Sequence, residues 1–428
     1  MKKRDAGLGF IFVTLLLDIL GIGLIVPVLP KLIESFTNNN VESASSIYGI
    51  MVAIYAFMQF ICAPILGSLS DRYGRRPIIL ISLLGSGLDY LLLAFAPSLS
   101  WLFVGRVVAG VTSANITTAT AYIVDISPPE KRAQNFGILG AAFGLGFIIG
   151  PAIGGLLGDY GLRLPFLVVA GITLINWLYG FFVLPESLTT EKRREFSWSR
   201  ANPIGSLSGL ARYPIVLALA STILCVALAQ NALQSTWVLY TGYRYSWGPR
   251  EVGLSLAVVG LTAAIVQGGL IRQIVPRLGE QRSLITGLTI NAVSFVLYGL
   301  APAGWMIYVI PFFGALGGIA QPSAQSIITQ NVQDNEQGAI QGSLSSLNAL
   351  SAVIGPLMAT QIFRYFISDA APVSVPGAPF FLGAVLIVIG IFLALNTFRR
   401  LPTMRTGGNF TADQPTVDEG YQAKVVNH

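Results

Sequence analysis

The chain of 428 residues is a succession of long apolar runs broken by short clusters of charge or of proline and glycine. Twelve runs start near Leu8, Ile47, Ile78, Leu99, Gln134, Leu164, Tyr213, Val252, Leu284, Gly304, Gly338 and Ala378. Runs of about 20 apolar residues are long enough to cross a hydrocarbon core as helices. Barrel strands would alternate over segments of about ten residues instead. The pattern predicts an all-α polytopic membrane protein. The first run follows Lys2, Lys3 and Arg4, as a signal peptide would. It is too long for one, contains Asp18 and lacks a small-residue cleavage site, so it reads as a retained span.

Composition narrows the function classes. Apolar residues make up 53% of the chain and charged residues 11%, against about 25% charged in soluble domains. The two cysteines, Cys62 and Cys225, lie in apolar runs, which argues against a disulfide framework or a cysteine zinc site. The single histidine is His428, so histidine metal sites, histidine triads and a histidine pH switch are excluded. No G-x-x-x-x-G-K-[ST] run occurs, which argues against an ATP-driven pump of the usual kind. The reading is not an enzyme, with no cofactor and no metal.

Lysine and arginine placement gives a direction. Twenty of the 26 fall on the side shared by the two termini, five on the other, and one, Arg106, within a span. This places both termini in the cytoplasm and accounts for the basic balance without a nucleic-acid partner. The expected location is the bacterial cytoplasmic (inner) membrane.

Landmarks recur at an offset of 205 residues: Gly74 and Gly279, Gly137 and Gly342, and Gly150-Pro151 and Gly355-Pro356. A duplicated six-span unit follows, with residues 1–184 as one bundle and 213–400 as the other. Residues 185–212 form an inter-bundle loop, and the polar segment 401–428 is expected to be a disordered cytoplasmic tail. Parallel repeats of this kind place a binding site between the halves, with alternating access by rocking.

Three charges lie deep in the spans, where each costs about 2.5–3.5 kcal/mol on insertion scales. At about 1.5 Å per residue, Asp18 and Asp89 lie roughly 15 and 16 Å from the terminus-bearing edge. Arg106 enters from the other edge and lies roughly 10 Å below it, in a core about 30 Å thick. All three can meet near mid-membrane. Two readings stand: Asp18 and Asp89 carry a proton while Arg106 tunes them, or a static ion pair fixes helix packing.

The second half offers amides instead: Gln230, Asn231, Gln234, Gln267, Asn291, Gln321 and Gln325, with Asn115 from the first half. Amides donate and accept, and suit an oxygen-rich or amphipathic ligand. Trp237, with Tyr55, Phe57, Tyr122 and Tyr240, can supply apolar walls. In span five Gly146, Gly150, Gly154 and Gly158 share one face, which lets a helix approach closely. Pro151 bends that span. A tight interface between the halves is one reading and lipid-side packing the other.

The loop Gly67-Ser68-Leu69-Ser70-Asp71-Arg72-Tyr73-Gly74-Arg75-Arg76-Pro77 resembles the signature G-x-L-x-D-R-x-G-R-R of the major facilitator superfamily. The stretch from Gly146 to Gly155, with Gly150, Pro151 and Gly154, resembles the antiporter motif of its twelve-span drug/proton antiporters. Arg106, in LFVGRVVAG, is similar to the family's span-four arginine. The segments around Asp18 and Asp89 resemble the tetracycline/proton antiporters. The resemblance implies the major facilitator fold, twelve helices in two pseudo-symmetric six-helix bundles. It implies a proton-coupled antiporter that exports a tetracycline-like or other amphipathic drug by alternating access, working as a monomer. It also implies a gate formed by Gly67, Asp71, Arg72, Gly74, Arg75 and Arg76. Asp71 would face the start of span eleven, and Arg72 or Arg75 would pair with Asp125. Topology-setting charge is the simpler alternative. Where tetracycline antiporters carry a histidine in span eight and an aspartate in span nine, this chain has Ala263 and Asn291, while Gln267 matches. Two other functions remain: a symporter importing a small metabolite or siderophore, and a non-transporting receptor or scaffold on the same fold.

Overall fold

The computed structural model describes residues 2–113, 115–196, 214–333 and 336–400. Every regular element among them is helical. Twelve helices are long and apolar enough to cross a membrane. In order, spans 1 to 6 are Leu8–Ile25, Val41–Tyr73, Arg75–Phe95, Leu99–Ile126, Gln134–Tyr160 and Leu164–Val183. Spans 7 to 12 are Pro214–Tyr245, Pro249–Leu278, Glu280–Leu300, Gly304–Gln330, Gln337–Ile367 and Ala378–Arg399.

Several helices begin earlier than hydropathy suggests, for local reasons. Span 2 starts at Val41 because Asn40 caps it, its side-chain oxygen accepting the Ser43 N–H at 2.7 Å. Spans 3 and 9 start at charged residues, Arg75 and Glu280, directly after Gly74 (φ +107°) and Gly279 (φ +77°). Both positions need the left-handed backbone that glycine adopts without strain. A short amphipathic helix, Leu29–Phe36, lies between spans 1 and 2 and packs against span 2. It was not expected from hydropathy, being too short to cross a bilayer.

The duplication is visible in the packing. Span 1 packs on span 5 as span 7 packs on span 11, and the 3–6 pair is matched by the 9–12 pair. Gly150 lies against Leu20 and Gly23 of span 1, and its repeat mate Gly355 lies against Leu228 and Asn231 of span 7. The halves meet along two seams, span 5 with span 8 and span 2 with span 11.

The four-residue glycine face of span 5 is divided: three of its members back onto its own half, and the last, Gly158, reaches the other half. Gly146, Gly150 and Gly154 back onto Ile19, Leu20 and Leu24 of span 1, inside one half. Apart from Gly158, the contact between the halves is made one step round the helix. There Gly155 and the Pro151 carbonyl lie against Gly253, and Gly155, like Gly158, lies against Pro249. The residue at the fourth helical position stays on one face, whereas its neighbour is turned by about 100° and finds span 8.

Both seams are tight away from the terminus-bearing face and loose near it. At the far face a Cβ on Gly49 would collide with Thr360, and Gln361 Nε2 donates to Ser46 Oγ at 2.7 Å. Near the termini a Cβ on Gly67, Gly144 or Gly338 would meet nothing within 4 Å. The cleft between the halves therefore opens on the terminus-bearing face. Overpacking a close contact costs about 1–3 kcal/mol, so Gly154→Leu should lower thermal stability by that amount in a detergent melt. Gly144→Leu should stay within about 0.5 kcal/mol of wild type.

Candidate functional site

The first-half charges assemble where hydropathy placed them. Asp89 is 1% exposed and Arg106 9%, and Arg106 Nη2 lies 3.3 Å from Asp89 Oδ2. Gly105 makes room for this pair, since a Cβ there would lie 2.8 Å from Asp89 Oδ1. The Arg106 guanidinium also faces the Tyr55 ring, 5.9 Å from its centre, a cation–π distance. Asp89 Oδ1 has no hydrogen-bond partner among the described residues. Asp18 joins Asp89 on the wall of a cavity of about 50 Å³, which Tyr55, Gln59, Tyr90 and Ser113 help to bound. That is room for a few waters. Gln59 and Tyr90 escaped the sequence reading. Their signal was position: Gln59 is one helical turn beyond Tyr55, and Tyr90 adjoins Asp89.

The second half holds a separate cavity of about 220 Å³ between spans 7, 8, 9 and 10. Gln230, Gln267, Asn291 and Ala263 line it. Two departures from α-geometry border it: a π-turn at Val266–Leu270 and a 3-10 stretch at Ala315–Ile319. Non-helical backbone within a span is tolerated where it lines a cavity or is buried in protein.

The other expected ligand residues lie elsewhere. Asn231 donates to Ser351 Oγ at 3.1 Å and to the Ala227 carbonyl at 2.9 Å, joining spans 7 and 11. Trp237 is a core residue, 3% exposed; its indole N–H donates to Ser255 Oγ at 3.0 Å and its ring stands edge-on to Tyr298. A large aromatic with one polar atom is buried once that atom finds a partner. Gln234 and Gln321 are exposed and Gln325 is half-buried, and none of the three lines either cavity. Tyr122 donates to the Pro185 carbonyl at 3.0 Å, and Tyr240 is buried against Phe380. Asn115 opens the second segment of span 4, and its side chain lies outside the described residues.

On the terminus-bearing face the signature loop forms a clasp. Arg75 binds Asp71 at 2.6 Å and Asp125 at 3.0 Å, and donates to Ser70 Oγ at 2.6 Å. This ties spans 2, 3 and 4 together. Arg72 takes no part in the Asp125 pair; its guanidinium lies 5.2 Å from the centre of the Tyr73 ring. Arg76 donates to the Phe181 carbonyl at 2.6 Å. Asp71 pairs with Arg75 of its own half, and among the described residues its carboxylate makes no ion pair with span 11. Glu186, just past span 6, was missed. Its carboxylate accepts the N–H groups of Arg75 (2.8 Å) and Arg76 (3.2 Å), the first donors of span 3. A carboxylate at a helix N-terminus satisfies unpaired donors and the dipole together. Ser187 Oγ donates to Asp125 at 3.1 Å, and the Arg194 N–H to the Asp71 carbonyl at 3.1 Å. The start of the expected inter-bundle loop is thus fastened to the first half. Its remainder, residues 197–212, and the expected tail lie outside the described residues.

At the 205-residue offset, Glu280 and Gln330 occupy the places of Arg75 and Asp125. Gln330 Nε2 donates to Glu280 at 3.0 Å, so the second half keeps the clasp without the cation. Glu186 is itself exposed, so losing it is the loss of a helix cap, which costs about 0.5–2 kcal/mol. Glu186→Ala should therefore destabilise the protein by that amount and raise hydrogen exchange at the start of span 3, as read by exchange mass spectrometry.

The family model of the Major Facilitator Superfamily matches residues 11–356 and 274–417. Among curated relatives, the chain is 41% identical over 363 residues to "Tetracycline resistance protein, class C" of Escherichia coli, covering 85% of this chain and 91% of that protein. It is 29% identical to "Multidrug resistance protein 2" of Bacillus subtilis, covering 92% and 97%. Among solved structures it resembles a bacterial homologue of the human lysosomal transporter Spinster, in an inward-facing, unoccupied conformation. That likeness has a TM-score of 0.74 at 16% identity and covers 93% and 97% of the two chains. The two seams, the duplicated packing and these matches agree: the chain belongs to the Major Facilitator Superfamily.

Proposed function

We propose that this protein is a proton-coupled antiporter that exports a tetracycline or another amphipathic drug across the bacterial inner membrane. One observation carries the reading: a carboxylate 1% exposed, paired with an arginine at mid-span, beside a second carboxylate in a small cavity. The relatives named for tetracycline resistance, 36% to 41% identical, support drug export. They do not favour the importing symporter or the non-transporting receptor.

The basic face is taken as cytoplasmic, with both termini there, since lysine and arginine concentrate on it. The open cleft is then the inward-facing state. Both cavities are built from one chain, which suits a monomer.

The coupling device follows from charge burial. With Arg106 at 3.3 Å, the ionised Asp89 has its counter-ion. If a movement within the first bundle draws Arg106 away as the halves rock, a carboxylate without its counter-ion remains inside the membrane, and taking up a proton removes its charge. Asp89 Oδ1, which has no protein partner among the described residues, is the atom placed to receive it. Asp18 shares the cavity and gives the proton a second stop. Release toward the cytoplasm accompanies re-formation of the ion pair. The clasp around Arg75 keeps spans 2, 3 and 4 rigid while the seams open and close.

In vesicles with an imposed pH gradient, Asp89→Asn should cut gradient-driven tetracycline flux by about 5–150-fold, the usual range of a coupling free energy. Tetracycline binding to the detergent-purified variant should persist. Asp18→Asn should give a partial loss of coupling. Undiminished gradient-driven flux in both variants would refute the assignment of the proton to these residues.

A further inference from the structure

The two cavities differ in chemistry as well as size. The second-half cavity, about 220 Å³, exceeds the roughly 150 Å³ that holds one benzene ring. It is smaller than the roughly 300–1,000 Å³ of a whole drug site. It fits one substituted or fused ring system, with any remainder of the ligand outside. Among the described residues that line it, none carries a formal charge at neutral pH.

Its polar side chains are the phenol of Tyr298, two aliphatic hydroxyls and three amides. The hydroxyls of Thr262 and Ser294 are committed to their own helices, bonding Val258 at 2.9 Å and Ile290 at 2.8 Å. The amides of Gln230, Gln267 and Asn291 each bring two donor hydrogens and an acceptor oxygen. Asn291 is placed by the backbone opposite. Its amide lies against Gly317, in the 3-10 stretch of span 10, where any Cβ would collide with it. Its Nδ2 reaches the Gly317 carbonyl in a long 3.4 Å hydrogen bond. Gln267 sits in the π-turn of span 8. Both helices therefore give up regular geometry where they border the cavity. Gln267 is exposed and stands at the mouth, whereas Thr262, Ser294 and Phe295 are buried. An ion passing from the mouth to that buried wall would lose its water and meet no counter-charge there. An uncharged ring bearing hydroxyl or amide groups would exchange water hydrogen bonds for those of the amides.

We infer that this cavity is a charge-excluding subsite, with Asn291 and Gln267 as the residues that set specificity. It takes an uncharged, hydrogen-bonding ring and leaves any ionised part of the ligand in the central cleft. The inference rests on the drug-export reading for the kind of cargo, but its test needs no transport.

Two probes separate the cases in equilibrium dialysis with the purified full chain. Chloramphenicol is an uncharged nitrophenyl compound with an amide and two hydroxyls, and benzyltrimethylammonium is a permanent cation on a single ring that also fits the volume. Wild type should bind chloramphenicol the more tightly. Asn291→Asp adds a carboxylate to the wall and should shift the affinity ratio toward the cation by about tenfold or more, within the range that single pocket groups command. Gln267→Glu places the charge at the mouth and should do the same, which keeps the test sound if one variant fails to fold. A wild-type preference for the cation, or a shift below about tenfold in every folded variant, overturns the subsite. Proton-gradient flux in wild-type vesicles fails or succeeds independently of this ratio. Loss of the antiporter reading and loss of the subsite are therefore distinguishable.

Discussion

A membrane interior tolerates a carboxylate only with a counter-ion, a proton or water at hand, and much of this structure answers that constraint. Asp89 is reached by Arg106 because span 4 carries glycine at residue 105, where a side chain would crowd the carboxylate. Tyr55 on span 2 offers its ring to the other side of the guanidinium. Three spans thus converge on one ion pair, and Asp18 of span 1 faces the same small cavity. The pair is a weak source of stability, since desolvation offsets much of its attraction. In the proposed mechanism its value lies in being breakable: separating the partners changes which protonation state is favoured.

The duplicated scaffold carries different chemistry in its two copies. Glycines with positive φ at 74 and 279 start equivalent helices, and glycine–proline pairs pack equivalently at 150–151 and 355–356. On this shared frame the first half has an arginine clasp and a buried ion pair. The second half has a glutamate–glutamine clasp and a neutral, amide-lined cavity. Ala263 and Asn291 both fall on that cavity wall, so the two departures from the tetracycline-antiporter pattern are one local change. They remove ionisable groups from a single place.

Much of this was legible in the sequence, and the failures have a common cause. Hydropathy reports insertion cost, so it located the spans and the deep charges Asp18, Asp89 and Arg106. Charge placement reports topology, and the offset of 205 reports duplication. None of these reports the azimuth of a side chain around its helix. That is why Trp237 and Asn231 looked like ligand groups when one is buried in the core and the other joins two helices. It is also why the glycine face of span 5 reads as the seam between halves or as lipid-side packing, when three of its glycines back span 1 and only Gly158 reaches the seam. Glu186 was missed because its role depends on the free N–H groups of a helix more than a hundred residues away in sequence.

The azimuth also explains how the halves can move. Within the first half, span 5 packs on span 1 backbone against backbone, as at Gly150 with Leu20 and Gly154 with Leu24. Such interfaces have little room to slide, and each half should move as a unit. The seams share that closeness only at the far face, through Gly155, Gly253 and Gly49. Toward the termini the same spans present glycines with free space around them, at Gly67, Gly144 and Gly338. Small residues lie along both ends of the seams, but only one end is in contact. A rocking motion about mid-membrane would exchange the two ends without repacking either bundle. The ion pair sits near that pivot and entirely within one bundle, so rocking alone need not break it. In the proposed mechanism, separation of Arg106 from Asp89 then comes from a movement within the first bundle, next to the cavity that Asp18, Tyr55 and Ser113 help to line.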